Sequence, residues 1–216
     1  MSRRHDPFDI EITPELIVRA YSAGIFPMSE DAEDENLFWV SPEHRGIIPL
    51  DGFRLSTSLR KAIRKSGFTV KVDTDFAAII HGCATVGEDR DTTWINGTIR
   101  QVYGELFSRG IAHTVEVWDG SDLIGGLYGL AIGGAFFGES MFHRRTNASK
   151  IAMAHLVARL NAGGFVLLDT QFLTDHLASL GGIEIPRRDY EERLADALLH
   201  QGDWHALDRL TPSPSA

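Results

Sequence analysis

The stretch HTVEVWDGSDLIGGLYGLAIGGAFF, residues 113–137, decides the fold of this sequence. Two apolar runs, residues 113–118 and 123–132, flank the turn Asp119-Gly120-Ser121-Asp122, and Gly133-Gly134 separates the second run from a third at residues 135–137. Short turns of this composition connect neighbouring strands in hairpins. The stretch therefore predicts an antiparallel meander of three strands.

A helix and a further strand are predicted after the meander. Asn147 is a plausible N-cap for a helix that reaches about Leu160, and Gly163-Gly164 would end it. The apolar residues 165–168 then predict a buried strand, which Asp169-Thr170-Gln171 follows directly. This order of elements indicates a mixed α/β domain.

The flanking sequence adds helices and short strands. Thr13 as N-cap, apolar spacing and Gly24 as the stop predict a helix at residues 14–23. Further helices are predicted at residues 56–66, 75–83, 98–109, 174–179 and 190–200. Strand signals occur near residues 47–48 and at residues 68–72. We divide the chain into a small N-terminal subdomain (1–46), a catalytic domain (47–205) and a flexible Pro/Ser tail (206–216).

Composition limits the possible functions. The 216 residues carry a formal net charge of -9, which argues against broad coating of nucleic acid and leaves only a local basic patch for any RNA contact. One cysteine, Cys83, excludes an intramolecular disulfide framework. The charged N-terminus and the lack of an apolar run of roughly 20 residues predict a cytoplasmic protein without a membrane span.

Two short motifs could carry chemistry. Gly138-Glu139-Ser140-Met141-Phe142 sets a carboxylate and a hydroxyl after an apolar strand, but Phe142 stands where a serine nucleophile elbow needs glycine. Asp169 and Gln171 are two residues apart at a strand end, so their side chains should point to the same side. Taken alone, the first motif is more typical of a strand-end turn and the second of a loop cap.

Basic residues mark two candidate anion sites. Residues 143–150 contain Arg144 and Arg145 and lead into the start of a helix, where free N–H groups favour a phosphate or a 3′-terminal nucleotide. This segment contains no glycine, which counts against the pyrophosphate loop of a coenzyme A acetyltransferase. The predicted helix 56–66 carries a second basic strip along one face, formed by Arg60, Lys61, Arg64 and Lys65.

Nine histidines are scattered, and His81-Gly82-Cys83 has no second ligand pair at zinc spacing, so no metal site is predicted.

Nine short sequence blocks, which occur in the same order as in a known protein family, lie between about residue 20 and about residue 198. They are Ala20-Tyr21-Ser22-Ala23-Gly24-Ile25-Phe26-Pro27, Trp39 with Ser41-Pro42, Thr93-Trp94-Ile95, Glu116-Val117-Trp118, Gly138-Glu139-Ser140-Met141-Phe142, Asn147-Ala148-Ser149-Lys150, Asp169-Thr170-Gln171, Asp175-His176 and Ile185-Pro186-Arg187-Arg188. Together these blocks resemble the leucyl/phenylalanyl-tRNA–protein transferase family.

The resemblance implies a GNAT-like acyltransferase fold with a small N-terminal subdomain. It also implies transfer of Leu, Phe or, less readily, Met from aminoacyl-tRNA to the N-terminal amine of proteins that begin with Arg or Lys, which marks them for degradation by the N-end rule. The donor ester is already activated, so no cofactor is expected. A monomer is expected.

The resemblance also implies roles for individual residues. By similarity, Gln171 would orient the acceptor amine with the aid of Asp169, and Glu139 would hold the amino group of the donor. Leu127, Phe136, Met153 and Leu156 would form the apolar pocket. Trp39 and Trp94 would stack on the terminal adenosine, Ser140 and Asn147 would contact the donor, and the two basic segments would contact tRNA.

Two alternatives stay open at this point. A coenzyme A-dependent small-molecule N-acyltransferase could use the same fold, and it would transfer an acyl group without tRNA. The protein could also be a non-catalytic tRNA-binding module. Loss of transfer with preserved tRNA binding after Asp169→Ala or Glu139→Ala would distinguish the enzyme from such a module.

Overall fold

A seven-stranded sheet forms the centre of the protein. The computed structural model describes residues 11–34, 36–85 and 93–210. Strands follow one another across the sheet in the order β4-β5-β6-β7-β8-β3-β9, and neighbours are antiparallel except for the parallel pair β7 and β8. The protein is therefore a mixed α/β fold with a mostly antiparallel sheet.

The elements have the following bounds. The helices are α1 (Pro14–Ser22), α2 (Thr57–Ser66), α3 (Phe76–Ala84), α4 (Gly97–Ser108), α5 (Ala148–Ala162), α6 (Asp175–Ser179), α7 (Arg187–Leu199) and α8 (Ala206–Leu210). The strands are β1 (Phe26–Met28), β2 (Phe38–Val40), β3 (His44–Ile47), β4 (Thr69–Val72), β5 (Ala112–Asp119), β6 (Asp122–Ile132), β7 (Ala135–His143), β8 (Leu167–Gln171) and β9 (Ile183–Pro186). Strands β1 and β2 form a separate two-stranded hairpin.

Helices cover both faces of the sheet. One apolar cluster contains residues of α1, α3, α4 and α7, and the other contains residues of α2, α5 and α6. Two glycines in β6 allow close packing, because a Cβ on Gly125 would lie 2.6 Å from the Cβ of Ala148, and one on Gly126 would lie 2.4 Å from Cδ1 of Ile79. None of the described helices is both long and apolar enough to cross a membrane.

The predicted meander is confirmed as β5, β6 and β7, although β7 extends to His143 rather than ending at Phe137. Helix α1 starts where the predicted cap Thr13 indicated, because the Thr13 side chain accepts a hydrogen bond from a backbone N–H group of the first turn. The side chains of Ser56 and Asp75 cap α2 and α3 in the same way, whereas α7 starts at Arg187 rather than at the predicted Tyr190.

Asn147 does not cap α5 with its side chain. Its backbone lies in the left-handed region at φ 71°, and its side chain makes no capping hydrogen bond. Left-handed backbone is incompatible with the extended geometry of an N-cap residue, and Asn tolerates it better than most side chains. The sequence correctly marked the start of the helix but assigned Asn147 the wrong local role.

Two predicted boundaries differ from the observed elements. Strand β3 continues across the proposed division after residue 46 and belongs to the central sheet. The segment predicted to be a flexible tail begins with α8, where Asp208 accepts hydrogen bonds from the buried Arg159. The rest of the predicted tail, residues 211–216, lies outside the described residues, as do residues 1–10 of the predicted N-terminal subdomain.

Glu116 of β5 connects this strand to the start of α3 by hydrogen bonds. Its fully buried carboxylate accepts hydrogen bonds from the N–H groups of Thr74 and Asp75 at 2.8 Å, from the hydroxyls of Thr74 and Thr114, and from Nε1 of Trp118. Burial alone would raise the pKa of Glu116, but these donors hold it below its ordinary value. Protein donors thus replace the water molecules that would otherwise hydrate the Glu116 carboxylate.

We expect Glu116→Gln to lower the free energy of unfolding by about 1–3 kcal/mol, because an amide NH₂ would face donors that need an acceptor. Because the folded-state pKa is lowered, this stabilisation is present above the ordinary pKa of glutamate and is lost as the pH falls through the lowered value. Urea unfolding at neutral and acid pH, with the exposed Glu184→Gln as control, measures both effects. Equal stability of the two variants at neutral pH would contradict this role.

Candidate functional site

The candidate site is a cavity of about 1320 Å³ that opens where β7 and β8 separate. The two strands pair at residues 135–137 and 167–169, after which β7 continues beside β6 and β8 continues beside β3. Glu139 and Gln171 line the cavity from the two separating strands. Ligands commonly bind at the carboxyl ends of parallel strands that diverge in this way.

Glu139 is held by a chain of polar side chains. Nε2 of Gln171 donates to one carboxyl oxygen at 3.2 Å, and the hydroxyl of Tyr103 donates to the other at 3.2 Å. The hydroxyls of Tyr103 and Tyr21 lie 2.6 Å apart. Helices α1 and α4 therefore hold the carboxyl group of β7 at the cavity wall.

The enclosure of Glu139 changes its ionisation. Burial raises the pKa of Glu139 to about 8, while the hydrogen bonds from Tyr21 and Tyr103 oppose this shift and the charge of Asp169 adds to it. Burial also raises the pKa of both tyrosines, so their hydroxyls remain hydrogen-bond donors. A carboxyl group that titrates near neutrality is a common feature of catalytic sites.

Asp169 is fully buried behind the cavity wall. Its Oδ1 accepts from Nε of Arg45 at 2.9 Å and from the N–H of Gln171 at 2.8 Å. Its Oδ2 accepts from Nη2 of Arg45 at 2.6 Å and from the hydroxyl of Tyr190 at 2.7 Å. The charge of this carboxylate is therefore paired with Arg45, and Asp169 reaches Gln171 through the backbone.

Gln171 ends β8 in an unusual conformation. Its φ of 57° lies in the left-handed region, which breaks the alternation that would have placed its side chain beside that of Asp169. The chain then passes close to β3, where a Cβ on Gly46 would lie 2.6 Å from the carbonyl carbon of Phe172. Gly46 thus permits the turn that directs the amide of Gln171 to Glu139.

The cavity has an extensive apolar wall. Of the residues predicted to form an apolar pocket, Leu127, Met153 and Leu156 line it. Further apolar residues of this wall include Met141 and Leu168. Methionine side chains adapt to ligands of different shape, which suits a pocket for more than one side chain.

Three predicted binding residues do not line the cavity: Phe136, Trp39 and Asn147, which directly precedes α5. Phe136 is fully buried and stacks on Trp204 with ring centroids 5.4 Å apart, so it packs in the core rather than in the cavity wall. Trp39 is half-buried on β2 and lies opposite Pro27, a residue that does line the cavity. Phe136 therefore belongs to the core, whereas Trp39 lies next to the cavity wall.

The remaining predicted contacts are divided between the cavity and the surface. Trp94, Ser140 and Arg144 line the cavity, whereas Arg145 is exposed and pairs with Asp119. The four basic residues of α2 predicted to contact tRNA are exposed, and within the described residues none of them forms an ion pair: Arg60, Lys61, Arg64 and Lys65.

Sequence reasoning missed the side chains that orient the site. Tyr21, Tyr103 and Tyr190 lie at helical spacings typical of core residues, and their hydroxyl contacts leave no sequence signal. Arg45 carried a usable signal, because a charge that shares a strand face with Ile47 implies a buried partner. Across residues 11–34, 36–85 and 93–210, no group of three or more His, Cys, Asp or Glu side chains could hold a metal ion.

Comparisons with known proteins agree on one family. The model of the leucyl/phenylalanyl-tRNA protein transferase family matches residues 47–195, and the model of its N-terminal domain matches residues 10–43. The leucyl/phenylalanyl-tRNA–protein transferase of Rhodopseudomonas palustris strain TIE-1 is 55% identical over 96% of this chain and 92% of the relative. The corresponding protein of strain HaA2 is 58% identical over 91% of this chain and 88% of the relative.

Similarity to solved structures is much weaker. The structure of L-PGS from Bacillus licheniformis is 10% identical, with a TM-score of 0.44, over 71% of this chain and 56% of that chain. A likeness this low does not identify a shared fold.

We expect Glu139→Gln to stabilise the protein at alkaline pH. Because the folded-state pKa is raised from 4.5 to about 8, the stabilisation from protonated Glu139 is complete below pH 4.5 and is lost as the pH rises through 8. At alkaline pH the variant should be more stable than the wild type by on the order of 2 kcal/mol, after allowance for water in the cavity.

Denaturant unfolding at acid and alkaline pH measures this difference, and the exposed Glu191→Gln serves as control. The stabilities of Glu139→Gln and the wild type should converge in acid. A constant difference between them across the pH range would rule out a raised pKa for Glu139.

Proposed function

This chain belongs to the leucyl/phenylalanyl-tRNA–protein transferase family, and on that premise we propose that its cavity joins an aminoacyl ester of tRNA to a protein N-terminus. The chain is an enzyme that transfers leucine or phenylalanine from tRNA to the N-terminal residue of a protein. The observation that carries the proposed site is the meeting of Glu139 and Gln171 beside an apolar wall in one cavity.

The apolar wall is proposed to receive the side chain of the donor. Leu127, Met153 and Leu156 form a surface without charge, and the adaptable Met153 suits both the branched leucine and the planar phenylalanine. Shape alone discriminates modestly, by about 1–3 kcal/mol for each methylene-sized misfit. Transfer of methionine at a lower rate follows from this weak discrimination.

Glu139 is proposed to bind the amino group of the donor. With a pKa of about 8 in the free protein, the carboxyl group is ready to ionise when the positive charge of an ammonium group enters the cavity. The resulting contact is a charge-assisted hydrogen bond, which is stronger than a contact between neutral groups. Tyr103 would keep the carboxylate oriented during binding, since its hydroxyl donates to Glu139.

Gln171 is proposed to orient the acceptor amine. Its Nε2 donates to Glu139, which leaves its Oε1 as an acceptor for a proton of the incoming amine. The amine nitrogen forms a bond to the ester carbonyl carbon, the bond from that carbon to the ribose oxygen breaks, and one amine proton passes to the departing oxygen. An α-amine with a pKa of about 7.7–8.0 is partly neutral at neutral pH, so positioning suffices and no cofactor enters the step.

The choice of acceptor is proposed to depend on charge. The carboxyl groups of Glu139 and Asp175 both line the cavity, and they would attract the positive side chain of an N-terminal Arg or Lys. Transfer to such proteins would mark them for degradation by the N-end rule.

The proposed setting is a monomer in the cytoplasm. The proposed fold is a GNAT-like catalytic domain with a small N-terminal subdomain.

The decisive experiment incubates the purified chain with labelled Leu-tRNA and a peptide that begins with Arg. We expect label in the peptide, none with an N-acetylated peptide, and none when leucyl-coenzyme A replaces the aminoacyl-tRNA. Transfer from the coenzyme A ester without tRNA would contradict the proposal.

We expect Tyr103→Phe to shift the pH dependence of transfer. The variant removes a hydrogen bond that lowers the pKa of Glu139, so the ascending limb of donor kcat/KM should move to higher pH. Steady-state rates at saturating acceptor peptide measure the limb. In the Glu139→Gln background no carboxyl group titrates at this position, so adding Tyr103→Phe should no longer shift the pH of the ascending limb. A shift that persists in this background would assign the limb to another group.

The basic strip of α2 is proposed to contact the acceptor stem of the donor tRNA, with Trp94 and Trp39 near its terminal adenosine. We expect Arg60→Glu combined with Arg64→Glu to raise the donor KM at least about tenfold at physiological salt, because two phosphate contacts become repulsive. The value of kcat should change little. The matched control is the double reversal of the exposed Arg188 and Arg193 on α7, and an equal rise of KM in that control would contradict a local tRNA site.

A further inference from the structure

A buried cationic clamp lies directly behind the reactive part of the cavity. The Arg45 side chain, 2% exposed, pairs through two nitrogens with Asp169. Its guanidinium lies between the rings of Phe26 and Tyr190, at 4.6 Å and 4.5 Å from their centroids. Its Nη1 also donates to the carbonyl of Gly24 at 3.0 Å. These contacts connect β1 and the turn before it with β3, β8 and α7 at one point.

Hydrogen-bond donors occupy all the favourable acceptor positions of the Asp169 carboxylate. Two nitrogens of Arg45, the hydroxyl of Tyr190 and the N–H of Gln171 each donate to one of its two oxygens. A carboxylate with four donors and no exposed surface has no free site for an entering amine. Asp169 can therefore influence the reaction only through a neighbouring residue.

That neighbour is Gln171. Its backbone adopts a left-handed φ of 57°, which costs a residue other than glycine about 1–2 kcal/mol unless its surroundings fix it. The hydrogen bond of 2.8 Å from its N–H to Asp169 provides this constraint. The same conformation directs the side chain to Glu139, which its Nε2 reaches at 3.2 Å.

We propose that Arg45 and Tyr190 are positioning residues of aminoacyl transfer, which fix Asp169 so that Asp169 holds Gln171 in its reactive conformation. The inference rests on the proposed role of Gln171 and adds residues that touch neither substrate. Arg45 supplies two parallel donors that a lysine cannot reproduce. Tyr190 supplies one donor to Asp169 and one ring face to Arg45.

Two conservative variants and one matched control test the proposal. Tyr190→Phe keeps the ring but removes the hydroxyl, and Arg45→Lys keeps the charge but loses the paired donors. The control is Arg159→Lys, because Arg159 is another buried arginine that pairs with a carboxylate, Asp208, and stacks on an aromatic ring, that of Trp204. The measurements are the single-turnover transfer rate, the donor KM and Tm for each full-length variant.

We expect Tyr190→Phe to slow transfer about tenfold and Arg45→Lys to slow it at least as much, with donor KM within about twofold, since each variant removes charge-assisted hydrogen bonds behind the reacting groups. Arg159→Lys should lower Tm without slowing transfer. If Arg45→Lys does not fold, Tyr190→Phe decides alone. Wild-type rates in the folded variants, or losses no greater than in Arg159→Lys, would overturn the inference.

A double-mutant cycle separates this inference from the proposed function. If Tyr190 acts through Gln171, Tyr190→Phe should slow the wild type but should not slow Gln171→Ala further. Equal slowing in both backgrounds would show that Tyr190 acts by another route and would refute the positioning role. A wild-type rate in Gln171→Ala would instead refute the proposed role of Gln171.

Discussion

The site depends on the separation of β7 from β8 after a short parallel ladder. Three residue pairs, from Ala135 with Leu167 to Phe137 with Asp169, join the strands before each follows a different neighbour. A continuous ladder would have filled the gap with backbone hydrogen bonds and left no cavity. The separation instead leaves one functional side chain on each strand facing a common space, and the helices on both faces of the sheet supply the walls.

Two carboxyl groups near this gap have different environments and therefore different properties. Glu139 faces the cavity with few donors, so burial raises its pKa into the neutral range. Asp169 is surrounded by donors and a paired guanidinium, which satisfy its charge within the protein. Environments that differ in this way commonly give neighbouring carboxyl groups separate roles in one reaction. The first can respond to a bound ligand, while the second maintains geometry.

The sequence predicted the features that depend on local pattern. Alternating apolar runs and glycine turns located β5 to β7, and the capping residue Thr13 located the start of α1. Features that depend on contacts distant in sequence were not predictable: Phe136 looked suitable for a pocket, but its face of β7 packs on Trp204 from the C-terminal segment. Alternation placed Gln171 beside Asp169, and only the structure shows the left-handed backbone that separates them. Family resemblance supplied Glu139 and Gln171 as candidates, whereas the hydroxyl contact of Tyr190 left no signal in the sequence.

The position of β3 in the sheet has a consequence for biosynthesis. Arg45 and its partner Asp169 are separated by 124 residues, and β3 can enter the sheet only between β8 and β9. At a translation rate of about 5–20 residues per second, the ribosome needs on the order of ten seconds to supply the partner strand. During that interval the nascent chain carries an arginine without its counter-ion and a strand without neighbours. Completion of the sheet therefore awaits most of the polypeptide, and β3, although translated early, is among the last strands to reach its neighbours.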